Sequence, residues 1–135
     1  MSPFARYKLH HVGVVIPSLE DAEAFMQMMG LEEDYRGYVD LWTCWCIFTR
    51  AADGATIELV VAEGGPLARF NRGAGGVHHF AFEISSFDEV NAWCKSQDLT
   101  MLEPEPIKGA GNFLCNFLSP IATRGIQIEF VQPLD

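Results

Sequence analysis

Apolar and polar positions alternate in two rhythms along this chain, and the same succession of rhythms occurs twice. HHVGVVIPSLEDAEAFMQMMGL runs from His10 to Leu31, and HHFAFEISSFDEVNAWCKSQDL runs from His78 to Leu99. The two segments align without a gap at one offset, 78 − 10 = 68 and 99 − 31 = 68. Each opens on a run rich in β-branched and aromatic residues, Val12 to Ile16 and Phe80 to Ile84, which predicts a strand. Each then places a serine, Ser18 or Ser86, ahead of an acidic residue three positions on, Asp21 or Glu89. That spacing predicts a capped helix start. On helical spacing Ala22, Phe25, Met26 and Met29 share one face, as do Val90, Trp93 and Cys94. Gly30 supplies a helix stop.

Three further strands are expected after each helix. In the first half they fall at about 33–39, 41–50 and 56–62, with Ala52-Asp53-Gly54 as a hairpin turn between the last two. In the second half they fall at about 100–102, 112–118 and 125–131. The segment 63–76 carries Gly64, Gly65, Pro66, Gly73, Gly75 and Gly76 and reads as a connector. The pattern therefore predicts an α+β fold of two tandem βαβββ modules, about 8–62 and 77–132, joined by a linker at 63–76 into one domain spanning 1–135.

Composition narrows the functional classes. Hydrophobic residues make up 49% of the 135, enough for a real core. No apolar run approaches the roughly 20 residues that span a bilayer, and the start, Met1 to Arg6, has no apolar core of a secretion signal. The four cysteines, Cys44, Cys46, Cys94 and Cys115, form no framework of the secreted kind and are expected to be reduced and packed. The expectation is a cytoplasmic protein with no membrane partner. A net charge of −9 disfavours nucleic acid as a partner.

The repeat also carries chemistry. Each module offers histidine at its first strand and a glutamate inside an apolar last strand. Thr56-Ile57-Glu58-Leu59-Val60 matches Gln127-Ile128-Glu129-Phe130-Val131, with 129 − 58 = 71. Burying two carboxylates among such neighbours is costly without a cation. Imidazole and carboxylate together suit one divalent ion of the Mn, Fe, Co, Ni or Zn class. Because strand side chains alternate, only one histidine of each pair, His10 or His11 and His78 or His79, is expected to face a shared cleft. The pattern alone leaves that choice open.

At these residues the chain resembles the vicinal oxygen chelate superfamily, which includes glyoxalase I, extradiol dioxygenases and, most similar here, the methylmalonyl-CoA epimerases. The stretches that carry the resemblance are HHVGVVIPSLEDA, TIELV, GPLARF followed by GGVHHFAFEI, EPEPIKGAGNFLCNFLSP and GIQIEFVQP, which together cover nearly the whole chain. The resemblance implies His11, Glu58, His79 and Glu129 as ligands of one divalent metal, with Glu129 also handling a proton. It implies a small-molecule substrate, an acyl thioester among the candidates, and a homodimer. Two stretches depart from the epimerase pattern. Tyr38-Val39-Asp40-Leu41-Trp42 stands where a second catalytic glutamate is usual, leaving Asp40 as the substitute, and Ser119-Pro120-Ile121 stands where His-Pro-Lys is usual.

Four-ligand binding of an octahedral ion leaves two positions for a chelating guest, and the ion then acidifies a proton beside a carbonyl. The expected activity is that of a metal-dependent epimerase or isomerase. The alternatives are a glyoxalase-like lyase and a non-catalytic small-molecule or drug-binding protein of the same fold. Trp42, Trp45, Phe48 and Phe113 are candidate pocket aromatics. Lys108-Gly109-Ala110-Gly111 resembles the epimerase loop that closes over substrate, and Arg69 and Arg72 are candidate partners for an anionic tail. Cys44 and Cys46 are expected to pack.

Overall fold

The two sequence repeats fold as two copies of one arrangement and join along their first strands. In this computed structural model the described residues are 2–135; Met1, part of the N-terminal stretch read above, lies outside them. The first copy runs β1 (Lys8–Val15), α1 (Leu19–Met29), β2 (Glu33–Val39), β3 (Cys44–Thr49) and β4 (Thr56–Ala62). The connector holds a single-turn helix α2 (Gly65–Ala68) and a 3-10 turn at Phe70–Gly73. The second copy runs β5 (Gly76–Glu83), α3 (Phe87–Ser96), β6 (Ile107–Lys108), β7 (Phe113–Phe117) and β8 (Ile128–Pro133).

All eight strands form one mixed, curved sheet in the order β2-β3-β4-β1-β5-β8-β7-β6. The centre of the sheet is the antiparallel pair β1–β5. Each of these strands takes the last strand of its own copy on its other side, β4 and β8, in parallel. The two copies therefore meet edge to edge within one chain. The curl brings the sheet's two ends together: a Cβ on Gly37 of β2 would lie 2.2 Å from the Ala110 carbonyl oxygen of the loop after β6.

The helices form where the caps placed them. Ser18 Oγ accepts from the Asp21 N–H at 3.0 Å, and Gly30 closes α1 in the left-handed region at φ 69°. Ser86 Oγ accepts from the Asp88 N–H at 3.1 Å, one position earlier than the spacing to Glu89 implied. Both helices cover the convex face of the sheet. Ala22 and Met26 pack with Ile47, Leu59 and Val61, while Val90 and Cys94 pack with Ile84, Leu118 and Phe130. Met29, expected on the buried face of α1, is exposed. No helix among the described residues is long and apolar enough to cross a membrane.

The strand boundaries differ from expectation where the chain turns. Asp40–Trp42 coils into a 3-10 turn that ends at Thr43 with φ 46°, so β3 begins at Cys44. Residues 100–102 give only a bridge, Met101 to Leu118, and the short β6 takes the edge position instead. The turn after Pro120 runs to Gly125, at φ 86°, and delays β8 to Ile128.

Candidate metal centre

The register across the central strands determines which side chains meet. Gly13 lies beside Glu58 of β4 on one side and His79 of β5 on the other. Ala81 lies beside His11 of β1 and Glu129 of β8. Two rows thus cross the concave face, Glu58–Gly13–His79 and His11–Ala81–Glu129. The smallest side chains occupy the middle of each row and leave space for the long ones to converge.

They do converge. His11 Nε2 lies 3.1 Å from His79 Nε2, 3.3 Å from Glu58 Oε1 and 2.9 Å from Glu129 Oε1. His79 Nε2 lies 3.1 Å from Glu58 Oε1 and 3.2 Å from Glu129 Oε1. All four residues are at most 5% exposed. Neighbouring ligands bound to one ion at about 2.1 Å are about 3.0 Å apart in octahedral geometry, so these spacings suit a common ion. The carboxylates point the same way. Glu58 Oε1 and Glu129 Oε1 are buried and have no well-formed hydrogen-bond partner. Orphaned charged oxygens in a buried site call for a cation.

Electrostatics fit the same reading. Burial alone would raise the two carboxyls, but the adjacent imidazoles outweigh it and hold Glu58 far below the ordinary range and Glu129 down at about 2. Burial would lower the imidazoles, but both carboxylates outweigh it and lift His11 to about 10 and His79 to about 9. The cluster therefore gathers a charge of +2 to balance its two carboxylates. Two protons provide that charge, and so does one divalent ion bound by neutral imidazoles. The donor set fits such an ion, and His11, His79 and Glu129 alone already place one ligand atom each within 4.8 Å of the others.

Strict alternation does not hold at the paired histidines. The ladder between β1 and β5 shifts register between Leu9 and His11, leaving His10 without a cross-strand partner, and shifts again at His78. These bulges turn both members of each pair to the concave side. His10 Nδ1 lies 2.7 Å from His11 Nδ1, and His78 Nδ1 lies 2.8 Å from His79 Nδ1. Each inner imidazole is thereby held on its far edge by the outer one. The choice between neighbours, open in the sequence, resolves in favour of His11 and His79 at the centre.

A cavity of about 1020 Å³ opens in front of Glu58, His79 and Glu129. Trp42, Leu67, Phe70 and Phe117 line it, together with Tyr38 and the connector. Of the four candidate aromatics only Trp42 is there. Trp45 packs on the convex side with α1, while Phe48 and Phe113 fill the core beneath His10 and His11. Phe70 and Phe117 escaped sequence reasoning. Phe117 was findable as the counterpart of Phe48, at 117 − 48 = 69, and the two rings stand edge-on to His79 and His11 at the same 5.2 Å.

Other candidates sit elsewhere. Asp40 is exposed at the start of its turn, outside the four-residue cluster; the next two residues, Leu41 and Trp42, line the cavity. Arg69 and Arg72 are exposed on the connector and are not among the lining residues. Lys108 Nζ donates to the Gly111 carbonyl at 2.5 Å, within the loop that reaches β2. Cys44 and Cys46 are buried with their sulfurs 3.8 Å apart, and all four cysteines are free thiols.

Residues 10–117 match the family described as the Glyoxalase/Bleomycin resistance protein/Dioxygenase superfamily. The chain is 26% identical over 130 residues to the uncharacterized protein YqjC of Bacillus subtilis (strain 168), covering 93% of this chain and 92% of that one. It is 27% identical over 130 residues to the mitochondrial methylmalonyl-CoA epimerase of Bos taurus, covering 93% of this chain and 74% of the relative. A variant of Streptomyces coelicolor methylmalonyl-CoA epimerase, solved in complex with 2-nitronate-propionyl-CoA, superposes with a TM-score of 0.84 at 20% identity over 95% of this chain and 98% of its own.

Proposed function

The chain belongs to the Glyoxalase/Bleomycin resistance protein/Dioxygenase superfamily, and from that premise we propose a metal-dependent isomerase that removes a proton beside a carbonyl of a small chelating substrate, as an epimerase does. The observation that carries this reading is the pair of orphaned carboxylate oxygens on Glu58 and Glu129, facing two imidazoles at the floor of an apolar cavity.

His11, Glu58, His79 and Glu129 would hold one divalent ion of the Co, Mn, Ni, Zn or Fe class. Bound there, such an ion supplies a Lewis acid that lowers the cost of charge on the carbonyl oxygen. The side chains do the rest. His10 and His78 fix the ring orientation of His11 and His79 through their Nδ1 contacts. Trp42, Phe70 and Phe117 keep the cavity apolar, which strengthens every charge interaction inside it. In this reading the Glu129 carboxylate takes the α-proton. Asp40, adjacent in sequence to the cavity-lining Leu41, is proposed to return one.

Two relatives named above are methylmalonyl-CoA epimerases, one of them in complex with an acyl-CoA analogue. They support an acyl thioester as a substrate class; a homodimer is proposed from the family resemblance alone. The four candidate ligands come from one chain, so a dimer completes nothing in the centre. The four free thiols support a reducing, cytoplasmic setting. The test is deuterium incorporation at the α-carbon of a panel of acyl thioesters and α-hydroxy carbonyl compounds with Mn- or Co-loaded protein. Exchange on at least one is expected. No exchange, together with turnover of a methylglyoxal–thiol adduct, would replace the isomerase by a glyoxalase-like lyase.

A further inference from the structure

The cavity in front of the proposed centre has walls of one electrical sign. Beyond Glu58, His79 and Glu129, the charged side chains lining it are Glu63 and Glu103. None of the nine lysines and arginines is among its described lining residues. At the floor, a divalent ion and the two carboxylates cancel when both imidazoles are neutral. The two wall carboxylates have no such counter-charge.

The Glu63 carboxylate and the Glu103 backbone are each tied in place. Tyr38 donates its hydroxyl to Glu63 Oε1 at 2.6 Å, which orients that carboxylate without neutralising it. Glu103 is half-buried, and the Asn116 amide grips its backbone: Asn116 Nδ2 donates to the Glu103 carbonyl at 3.0 Å and Oδ1 accepts from the Glu103 N–H at 3.1 Å. Asn116 is itself 2% exposed, so the Glu103 backbone is anchored to the core. The remaining wall is largely apolar. A second carboxylate on the guest would shed hydration against Trp42, Leu67 or Phe117 and meet Glu63 or Glu103 without a cation to pair with. The chain's charge of −9 adds long-range repulsion.

We propose that this site selects chelating carbonyl compounds with two neighbouring oxygens for the ion and an uncharged apolar or aromatic remainder, and discriminates against guests whose remainder carries a further carboxylate beyond the chelating pair. The proposal rests on the metal-centre reading above and concerns the part of the guest seated in the cavity. It refines the substrate class and leaves proton removal beside the carbonyl unchanged.

The test compares benzohydroxamic acid with 4-carboxybenzohydroxamic acid, which share a chelating head and differ by one remote carboxylate. Calorimetric titration of the Mn(II)-loaded full chain is expected to show the neutral compound binding about 10-fold tighter. In the Glu103→Lys variant the gap should shrink below about 3-fold; Glu63→Gln serves as the second variant and should narrow it as well. Equal affinities in the unaltered protein, or tighter binding of the carboxylate, overturn the proposal. So does a gap that neither variant changes. If neither hydroxamate binds better to the Mn-loaded protein than to chelator-stripped protein, the metal-centre reading itself fails. That result is distinct from metal-dependent binding without a charge preference.

Discussion

Gly13 faces His79 across the β1–β5 seam with no room for a side chain between them: a Cβ on Gly13 would fall 2.0 Å from His79 Cε1 and 2.4 Å from Nδ1 and Nε2. The equivalent position of the second repeat, 13 + 68 = 81, holds an alanine beside His11. The duplication is therefore not symmetric at its centre. The first module gives up a side chain so that the second module's imidazole can reach the common point.

Gly13→Ala should displace the His79 ring. The fold should survive with a loss of about 1–3 kcal/mol, the usual range for overpacking. Affinity for a divalent ion should fall about 10- to 100-fold. Urea unfolding followed by metal titration checks both numbers. An unchanged metal affinity would mean that His79 tolerates a shift and contributes little.

Ion removal should lower stability because it leaves Glu58 and Glu129 buried without a divalent counter-ion. An ion present at a thousand times its dissociation constant stabilises the folded state by about 4 kcal/mol. For a chain of this size that corresponds to a rise in Tm on the order of 10 °C. Differential scanning fluorimetry with Mn or Co against a chelator reads the shift. A Tm indifferent to both would count against a site that needs a cation.

Glu129 and Asp40 should separate by readout. Glu129→Gln should weaken metal binding and lower α-proton exchange by about 10²-fold or more. Asp40→Asn should leave metal content intact and slow exchange alone. Isotope incorporation followed by mass spectrometry, with metal content measured on the same samples, distinguishes the two. If Asp40→Asn exchanges at the original rate, Asp40 has no part in the chemistry.

Asn116 should matter for the cavity wall as well as for stability. Its amide makes the two bonds to the Glu103 backbone and accepts from the Phe117 N–H at 2.9 Å. Asn116→Ala removes all three and strands a buried N–H, a cost of about 1–3 kcal/mol. Chemical denaturation should show that loss while metal content stays at one equivalent. A neutral variant would mean that the segment is held by the Leu102 and Phe117 backbone bond instead.

Much of this was legible in the repeat. The strand–helix pairs, the helix caps and the strands at 33–39 and 56–62 follow from period, cap residues and turn residues, and the structure reproduces those two strands to the residue. The glutamates were visible because a carboxylate amid Ile57 and Leu59, or Ile128 and Phe130, contradicts its surroundings. Less legible were features set by pairing rather than by local pattern. The bulges at His10 and His78 depend on how β1 meets β5, and they undo the alternation that a lone strand predicts. The two-residue β6 has almost no hydrophobic period of its own and exists as a partner of β7. Trp42 and Trp45 are three apart, so strand alternation already sets them on opposite faces, but which of the two faces the cavity depended on the pairing of β3 with its neighbours.

Metal content is the most direct measure of whether His11, Glu58, His79 and Glu129 act as one centre. Protein purified without chelators, and the His11→Ala variant prepared alongside it, should be analysed by elemental mass spectrometry after confirming that both are folded. The account predicts about one equivalent of a divalent transition ion in the unaltered chain and a small fraction of that in the variant. A full equivalent retained by folded His11→Ala protein would contradict it.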